Sequence, residues 1–418
     1  MGPASSASSS STATPSAPRP SKPDPGAMYT ELVALRTQAK ASTDPAVQLA
    51  FCRTLLTVAD ALPRSPAALL ALADQSGSRN LDPKKIRKQQ DVLQHEALKH
   101  LKKLATHGNV QGVGKTPYAD AQYLLAECYG HGRLGLSHDH ERAFALYHAA
   151  SKQGHAASTY RAAVCYEAGA GVKRDHGRAV SLYRKAAAMG DTAAMFRLGM
   201  IQLHGQLNVP VNPRDGIAWL KRAANQADEA TPHALHELGM LYEGKTSGIL
   251  LPDPAYAHDL FLRAAQLAYA PSQYKLGLCH EYGLLNLTVD ARRSIAWYAK
   301  AAEQGDPDAE LALSGWYLTG ADGILVQSDQ EAYLWARKAA DKGLAKAEYA
   351  VAYYTEHGVG VRANWDEARR WYLRASSQGH ARAMARLKEA AQDGVKPAGK
   401  SAKRRKDGDA KDSECSIM

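Results

Sequence analysis

Three kinds of short stretch bring together residue types that do chemistry. Gly108 to Tyr118, GNVQGVGKTPY, holds the glycines, lysine and threonine of half a phosphate loop. The full loop needs a glycine at position 109, where Asn109 stands. It also follows a strand and opens a helix, whereas this stretch follows a helical pattern and Pro117 comes directly after Thr116. No nucleotide and no other cofactor is expected, and the stretch reads as a loop between repeats. SHDHE (Ser137 to Glu141) and HALHE (His233 to Glu237) carry metal-ligand types, but neither supplies four ligands at an accepted spacing and HExxH is absent. They read as solvated loop or surface histidines, with no metal. No G-x-S-x-G and no Ser/His/Asp or Cys/His set stands out, so no catalytic residue is expected and the chain reads as non-enzymatic.

The last four residues, Cys415-Ser416-Ile417-Met418, have the C-a-a-X form that directs prenylation, and a terminal Met favours farnesyl on Cys415. Upstream lies a cationic patch, Lys403, Arg404, Arg405 and Lys406, suited to an anionic membrane or acidic partner. Asp407, Asp409, Asp412 and Glu414 stand between patch and lipid, and Lys400 to Glu414 nets only +2. One lipid chain gives marginal, reversible membrane binding. A second source of affinity is therefore expected, supplied by a protein partner held in the solenoid groove. Gly2 and Ser6 fit a myristoylation pattern, which Pro3 argues against.

These features sit on a chain of 418 residues, 45% hydrophobic and 22% charged, within the soluble globular range. No apolar run approaches the ~18–20 residues of a membrane span. The N-terminus has no apolar core and reads as neither a secretory signal nor a folded segment. Net charge is +10, of which residues 1–27 hold +1 and residues 388–418 hold +2. The remaining +7 reads as a diffuse excess, too dispersed for a nucleic-acid stripe, and no nucleic-acid partner is expected. The five cysteines form no CxxC pair, which points to a reducing compartment.

A repeat organises the chain. Alanine pairs recur at Ala149-Ala150, Ala186-Ala187, Ala223-Ala224, Ala264-Ala265, Ala301-Ala302 and Ala339-Ala340, with a degenerate copy at Ala375-Ser376. Their first residues lie 37, 37, 41, 37, 38 and 36 positions apart, the signature of a solenoid. In Ala157 to Asp191, a first helix containing Tyr160, Ala163 and Val164 ends in YEAGAG. A second helix carries Ala179, Leu182, Tyr183, Ala186 and Ala187 on one apolar stripe. The glycines of AGAGV (Ala168 to Val172) and HGVGV (His357 to Val361) serve these helix-to-helix turns. Cys128, Cys165 and Cys279 occupy equivalent first-helix places, where buried small packing is expected. Small residues let helices approach, and Tyr147, Tyr183, Trp219, Tyr298, Trp335 and Trp371 fill the space between them.

The expected fold is all-α, a right-handed α-solenoid with a concave face and about seven clear repeats plus a degenerate N-terminal one. Residues 1–27 are expected to be disordered. Residues 28–118 should form N-terminal helices, including a worn repeat from Ser65–Gly77 and Leu93–Asn109. Repeats should occupy 119–380, a capping helix 381–392, and a disordered basic tail 393–418.

The unit A-x-x-LG-x-x-Y-x-x-G-x-GV-x-x-D-x-x-x-A-x-x-W/Y-x-x-KAA-x-x-G resembles the Sel-like repeats, relatives of tetratricopeptide repeats. AMFRLGMIQLHG, ALHELGMLYEG and SQYKLGLCHEYG are clear first helices of that type. TQAKASTDPAVQLAFCRTLL (Thr37 to Leu56), ALKHLKKLATHG, DAQYLLAECYGHGRLG and ILLPDPAYAHDLFLRAAQLAYAPS, in that order, are similar to the fungal chitin synthase regulators, from about Ala27 to Lys388. The resemblance implies a non-catalytic activator that binds a membrane-embedded chitin synthase. It also implies a farnesyl-held position on the cytosolic face of the plasma membrane, at sites of wall growth or septation. The alternative is an adaptor for membrane-protein quality control or another membrane signalling complex. Groove residues that touch a client are unknown at this level.

Overall fold

The computed structural model describes residues 25–61, 83–108, 116–244 and 250–392. Eighteen α-helices run through them, and the only strand-like pairing among the described residues is the bridge Ala321–Leu325. The chain divides after Asp191 into two compact units. Unit 1 holds α1 (Pro25–Ala41), α2 (Pro45–Ala61), α3 (Pro83–His107), α4 (Ala119–His131), α5 (His140–Lys152), α6 (Ala156–Ala168) and α7 (His176–Ala188). Unit 2 begins with α8 (Thr192–His204), α9 (Pro213–Asn225), α10 (His233–Glu243), α11 (Pro254–Gln266), α12 (Ala270–Tyr282) and α13 (Ala291–Glu303). It continues with α14 (Pro307–Thr319), α15 (Asp329–Asp341), α16 (Ala345–His357), α17 (Trp365–Ser377) and α18 (Ala381–Gln392). Within each unit every helix packs on its sequence neighbours, giving the stacked hairpins of an all-α solenoid. The proposed worn-repeat helix at Ser65–Gly77 lies outside the described residues. Leu93–His107 is the latter part of the 25-residue α3.

Local chemistry sets the helix ends. Each second helix opens on Asp139, Asp175, Asn212, Asp253, Asp290, Ser328 or Asn364, whose side chain accepts a backbone N–H from the first turn. Pro213 and Pro254 occupy the first turn, where a missing N–H costs nothing. First helices close on left-handed Gly132, Gly169, Gly283 and Gly358. Gly171 and Gly360 are needed for a second reason. A Cβ there would stand 2.0 Å from the carbonyl oxygen of His140 or Asp329, at the head of the preceding second helix.

Small residues line the crossing within each hairpin. Ala126, Ala163, Gly199, Gly239, Gly277, Ser314 and Ala352 on first helices are all buried, as are Ala143, Ala179, Gly216, Ala257, Ser294, Ala332 and Ala368 on second helices. The close approach is real: a Cβ on Gly216 would meet the Gly199 carbonyl oxygen at 2.9 Å. Beside this seam sit Tyr147, Tyr183, Leu220, Phe261, Tyr298 and Tyr372, each contributing about 2–3 kcal/mol by burial. The sixth hairpin has Ala336 at this register. Tyr354 from the next first helix joins the same core, its hydroxyl 3.1 Å from Ser314 Oγ, while Ser314 donates to the Ala332 carbonyl at 2.7 Å.

One register is corrected. Ala150 and Ser151 are buried at the place filled by Ala186-Ala187, whereas Ala149 is half-buried. The first spacing is therefore 36 rather than 37.

Candidate interaction surface

One register of the first helices, three residues before the small seam residue, carries a ring in six of the seven hairpins. Tyr123 and Tyr160 lie in unit 1. Phe196, His236, Tyr274 and Tyr349 lie in unit 2, with Leu311 at the same register. Each ring is half-buried because it leans on its own hairpin or the next, whereas Leu311 is buried. Tyr123–Tyr147, Tyr160–Tyr183, Tyr274–Tyr298 and Tyr349–Tyr372 have centroids 5.9, 5.8, 5.7 and 5.7 Å apart. Tyr123 also meets His155 at 5.3 Å, His236 meets Tyr269 at 5.5 Å, and Tyr349 stacks on His380 at 4.7 Å. Burial pushes the Tyr123, Tyr274 and Tyr349 hydroxyls above the usual phenol range. They remain protonated, so they present rings and hydrogen bonds rather than a base or nucleophile.

Below the rings, carboxylates tie hairpins together. The Tyr183, Tyr298 and Tyr372 hydroxyls donate to Glu167, Glu281 and Glu356 at 2.6, 2.6 and 2.8 Å, and Tyr147 donates to Glu127 at 3.0 Å. The next first helix adds a cation in several places: Arg161 to Glu127 at 3.1 Å, Lys275 to Glu243 at 2.7 Å, and Arg386 to Glu356. Phe261 has no hydroxyl to offer Glu243, and Lys275 stands beside both. Burial would raise the Glu356 pKa, but hydrogen bonds from Arg386 and Tyr372 and the Arg386 charge hold it below the usual carboxylate value.

A second set of polar clamps uses the fourth residue of first helices. Gln122 and Gln273 donate to the carbonyls of Ala105 and Ala265 in the preceding helix, and accept from Gln153 and Gln304 at 2.8 and 2.7 Å. The last two hairpins carry Glu310 and Glu348 instead. Glu310 is held by Lys342 and Lys338, Glu348 by Gln378 and Arg374. All these groups already have partners, so the clamps hold structure rather than reactants.

Unit 2 bears a third pattern on its second helices. Trp219, Trp297, Trp335 and Trp371 share one register, each with a cation three residues on. Arg222, Lys300, Lys338 and Arg374 lie 4.7, 4.1, 4.5 and 4.4 Å from their ring centroids. The same register holds Leu146 and Leu182 in unit 1 and Leu260 in the fourth hairpin, in unit 2. Trp219, Trp297, Trp335 and Trp371 thus stand at a register distinct from that of the tyrosines that fill the hairpin seam.

Among the described residues no group of His, Cys, Asp and Glu could hold a metal, and no helix is long and apolar enough to cross a membrane. Cys52, Cys128, Cys165 and Cys279 are buried free thiols, and burial pushes Cys128 up to about 11. Cys415 and the Lys403, Arg404, Arg405, Lys406 patch lie outside the described residues, as do positions 109–115 of the phosphate-loop-like stretch.

Two expectations are corrected. His236 is not a solvated histidine: its Nδ1 lies 2.8 Å from Ser272 Oγ and its ring packs edge-on to Phe261 at 5.4 Å. Burial, then the Lys275 and His233 charges, lower its pKa to about 4. Nor is the positive charge diffuse. Helix α3 carries Lys84, Lys85, Arg87, Lys88, Lys99, Lys102 and Lys103 against Asp91 and Glu96, a net +5 on one helix. Counting charge by helix instead of by region would have found it.

The chain is 37% identical over 357 residues to chitin synthase regulatory factor 3 of Schizosaccharomyces pombe, covering 85% of this chain and 36% of that protein. It is 35% identical over 356 residues to chitin synthase regulator SKT5 of Saccharomyces cerevisiae, covering 84% and 49% respectively. The chain thus spans half or less of the length of these curated relatives. Among solved structures it resembles a protective antigen of uropathogenic Escherichia coli with an SLR fold, TM-score 0.57 and 22% identity, covering 87% of this chain and 83% of that one. The Sel1 repeat model matches seven consecutive segments, 119–155, 156–191, 192–228, 232–269, 270–306, 307–344 and 345–380. Their bounds coincide with the seven hairpins, and the chain belongs to the Sel1-repeat family.

Proposed function

We propose that this protein is a non-catalytic scaffold that binds a membrane chitin synthase and promotes its activity or placement in cell-wall chitin synthesis. The observation that carries the reading is the alignment with two proteins named as chitin synthase regulators over 84% and 85% of this chain. The surfaces support it. Half-buried rings and exposed cations recur hairpin after hairpin, while the carboxylates among them are committed to clamps between helices. Such a surface binds an extended client rather than turning over a substrate.

Farnesyl on Cys415 holds the scaffold at the cytosolic face of the plasma membrane in this reading. It raises the effective concentration of the scaffold near a membrane client. The test is affinity purification of the full chain from detergent-solubilised membranes. Recovery of a chitin synthase is expected, and its absence overturns the client assignment. Cys415→Ser is expected to shift the protein to the soluble fraction and lower wall chitin; an unchanged distribution removes the lipid from the account.

A further inference from the structure

We infer that the outer face of α3, with the groove beside it in unit 1, is a contact site for an anionic phospholipid surface, separate from Cys415. Arg87, Lys88, Lys99, Lys102 and Lys103 are all exposed, and Val92 lies among them at 53% exposure. Among the described residues none of these five cations has a carboxylate at ion-pair distance. The opposite face of α3 is the core side, with Leu93, Ala97, Leu101 and Leu104 at 2% exposure or less. The helix thus has one side anchored and one side bearing five unpaired cations against the single exposed carboxylate of Asp91.

The second observation is the groove. It encloses about 410 Å³, its floor is apolar with Ala105, Leu125, Tyr129 and Leu146, and Lys102, Lys103 and Arg142 stand at its edge. Leu146 lines it at the register that holds Trp219, Trp297, Trp335 and Trp371 in four hairpins of unit 2, and Leu182 and Leu260 in two others. A cationic face around an apolar slot matches a molecule with an anionic head and an apolar chain. A nucleic acid offers flat bases but no aliphatic chain to the slot, and a run of acidic residues leaves it unfilled. The site supplies a second membrane signal, which a single lipid chain needs for stable attachment.

The test uses the full chain as Cys415→Ser, so that lipidation cannot contribute, and vesicles of phosphatidylcholine with and without phosphatidylserine. Binding to the phosphatidylserine vesicles alone is expected, weakening with salt. Lys99→Gln, Lys102→Gln and Lys103→Gln are each expected to weaken it about fivefold, and the triple variant about 100-fold. Leu146→Trp fills the groove with a residue the fold already carries at that register, and is expected to weaken binding while the helical circular dichroism is kept. No binding to phosphatidylserine vesicles overturns the inference. So does binding that follows Lys403–Lys406 rather than α3, or an acidic polypeptide, poly-glutamate, binding where vesicles do not. None of these outcomes bears on whether a chitin synthase is the client.

Discussion

Lys342 Nζ lies 2.7 Å from both carboxylate oxygens of Glu310, a side chain with no exposed surface, and donates to the Gly305 carbonyl at 2.8 Å. The same two places in the first and fifth hairpins hold Gln122 with Gln153 and Gln273 with Gln304. A buried ion pair and an amide pair therefore serve one clamp. Lys342→Met leaves a buried carboxylate with Lys338 alone, and is expected to lower stability by about 2–3 kcal/mol in urea unfolding. Glu310→Gln with Lys342→Gln should return to within about 1 kcal/mol of the parent. A double variant as unstable as the single one would refute the equivalence.

Gly277 faces Tyr298 so closely that a Cβ would stand 2.5 Å from its ring. Tyr298 is fully buried and its hydroxyl is held by Glu281, so the ring has nowhere to turn. Gly277→Ala is expected to lose about 1–3 kcal/mol, although alanine is the better helix former. A thermal melt at or above the parent temperature would count against the close fit.

Ala268 takes φ 59° at the turn where other hairpins place Gly154, Gly190, Gly305, Gly343 and Gly379. A left-handed alanine is strained by roughly 1–2 kcal/mol, partly offset by the freedom glycine gains when unfolded. Ala268→Gly is expected to raise stability by about 0.5–1 kcal/mol, read as a higher urea midpoint.

His236 makes stability depend on pH. Its folded pKa of about 4 lies below the unfolded value of 6.5, so the unfolded chain takes up the proton first. Stability from this site is complete above pH 6.5 and declines as pH falls towards 4, by roughly 2 kcal/mol after allowing for partial exposure. Tyrosine stands at this register in four other hairpins. His236→Tyr should flatten the unfolding midpoint between those pH values, and a slope equal to the parent's would exclude His236 as its source.

The hairpin period was legible because a buried alanine pair recurs near the end of most second helices, at the same distance from the cap. Ala149 shows the limit: two adjacent alanines fit the period equally well, and only burial separates Ala150 from its neighbour. The turn glycines were legible as turns, since a positive φ selects glycine. That Gly171 also touches the His140 carbonyl depends on the preceding hairpin and has no local signal. His236 was misread for the same reason, because Phe261 and Ser272 reach it from other helices. The charge of α3 is a property of its sequence, but it disappears when summed over residues 28–387.

The Tyr354 ring that completes the core around Ala336 belongs to a different hairpin. The sixth hairpin therefore cannot end a shortened protein as it stands. A chain stopped at 344 would leave a hole beside Ser314 and Ala336, whereas one stopped after hairpin five would keep Tyr298 in place. Where this solenoid can be cut is decided by which hairpin owns its own plug.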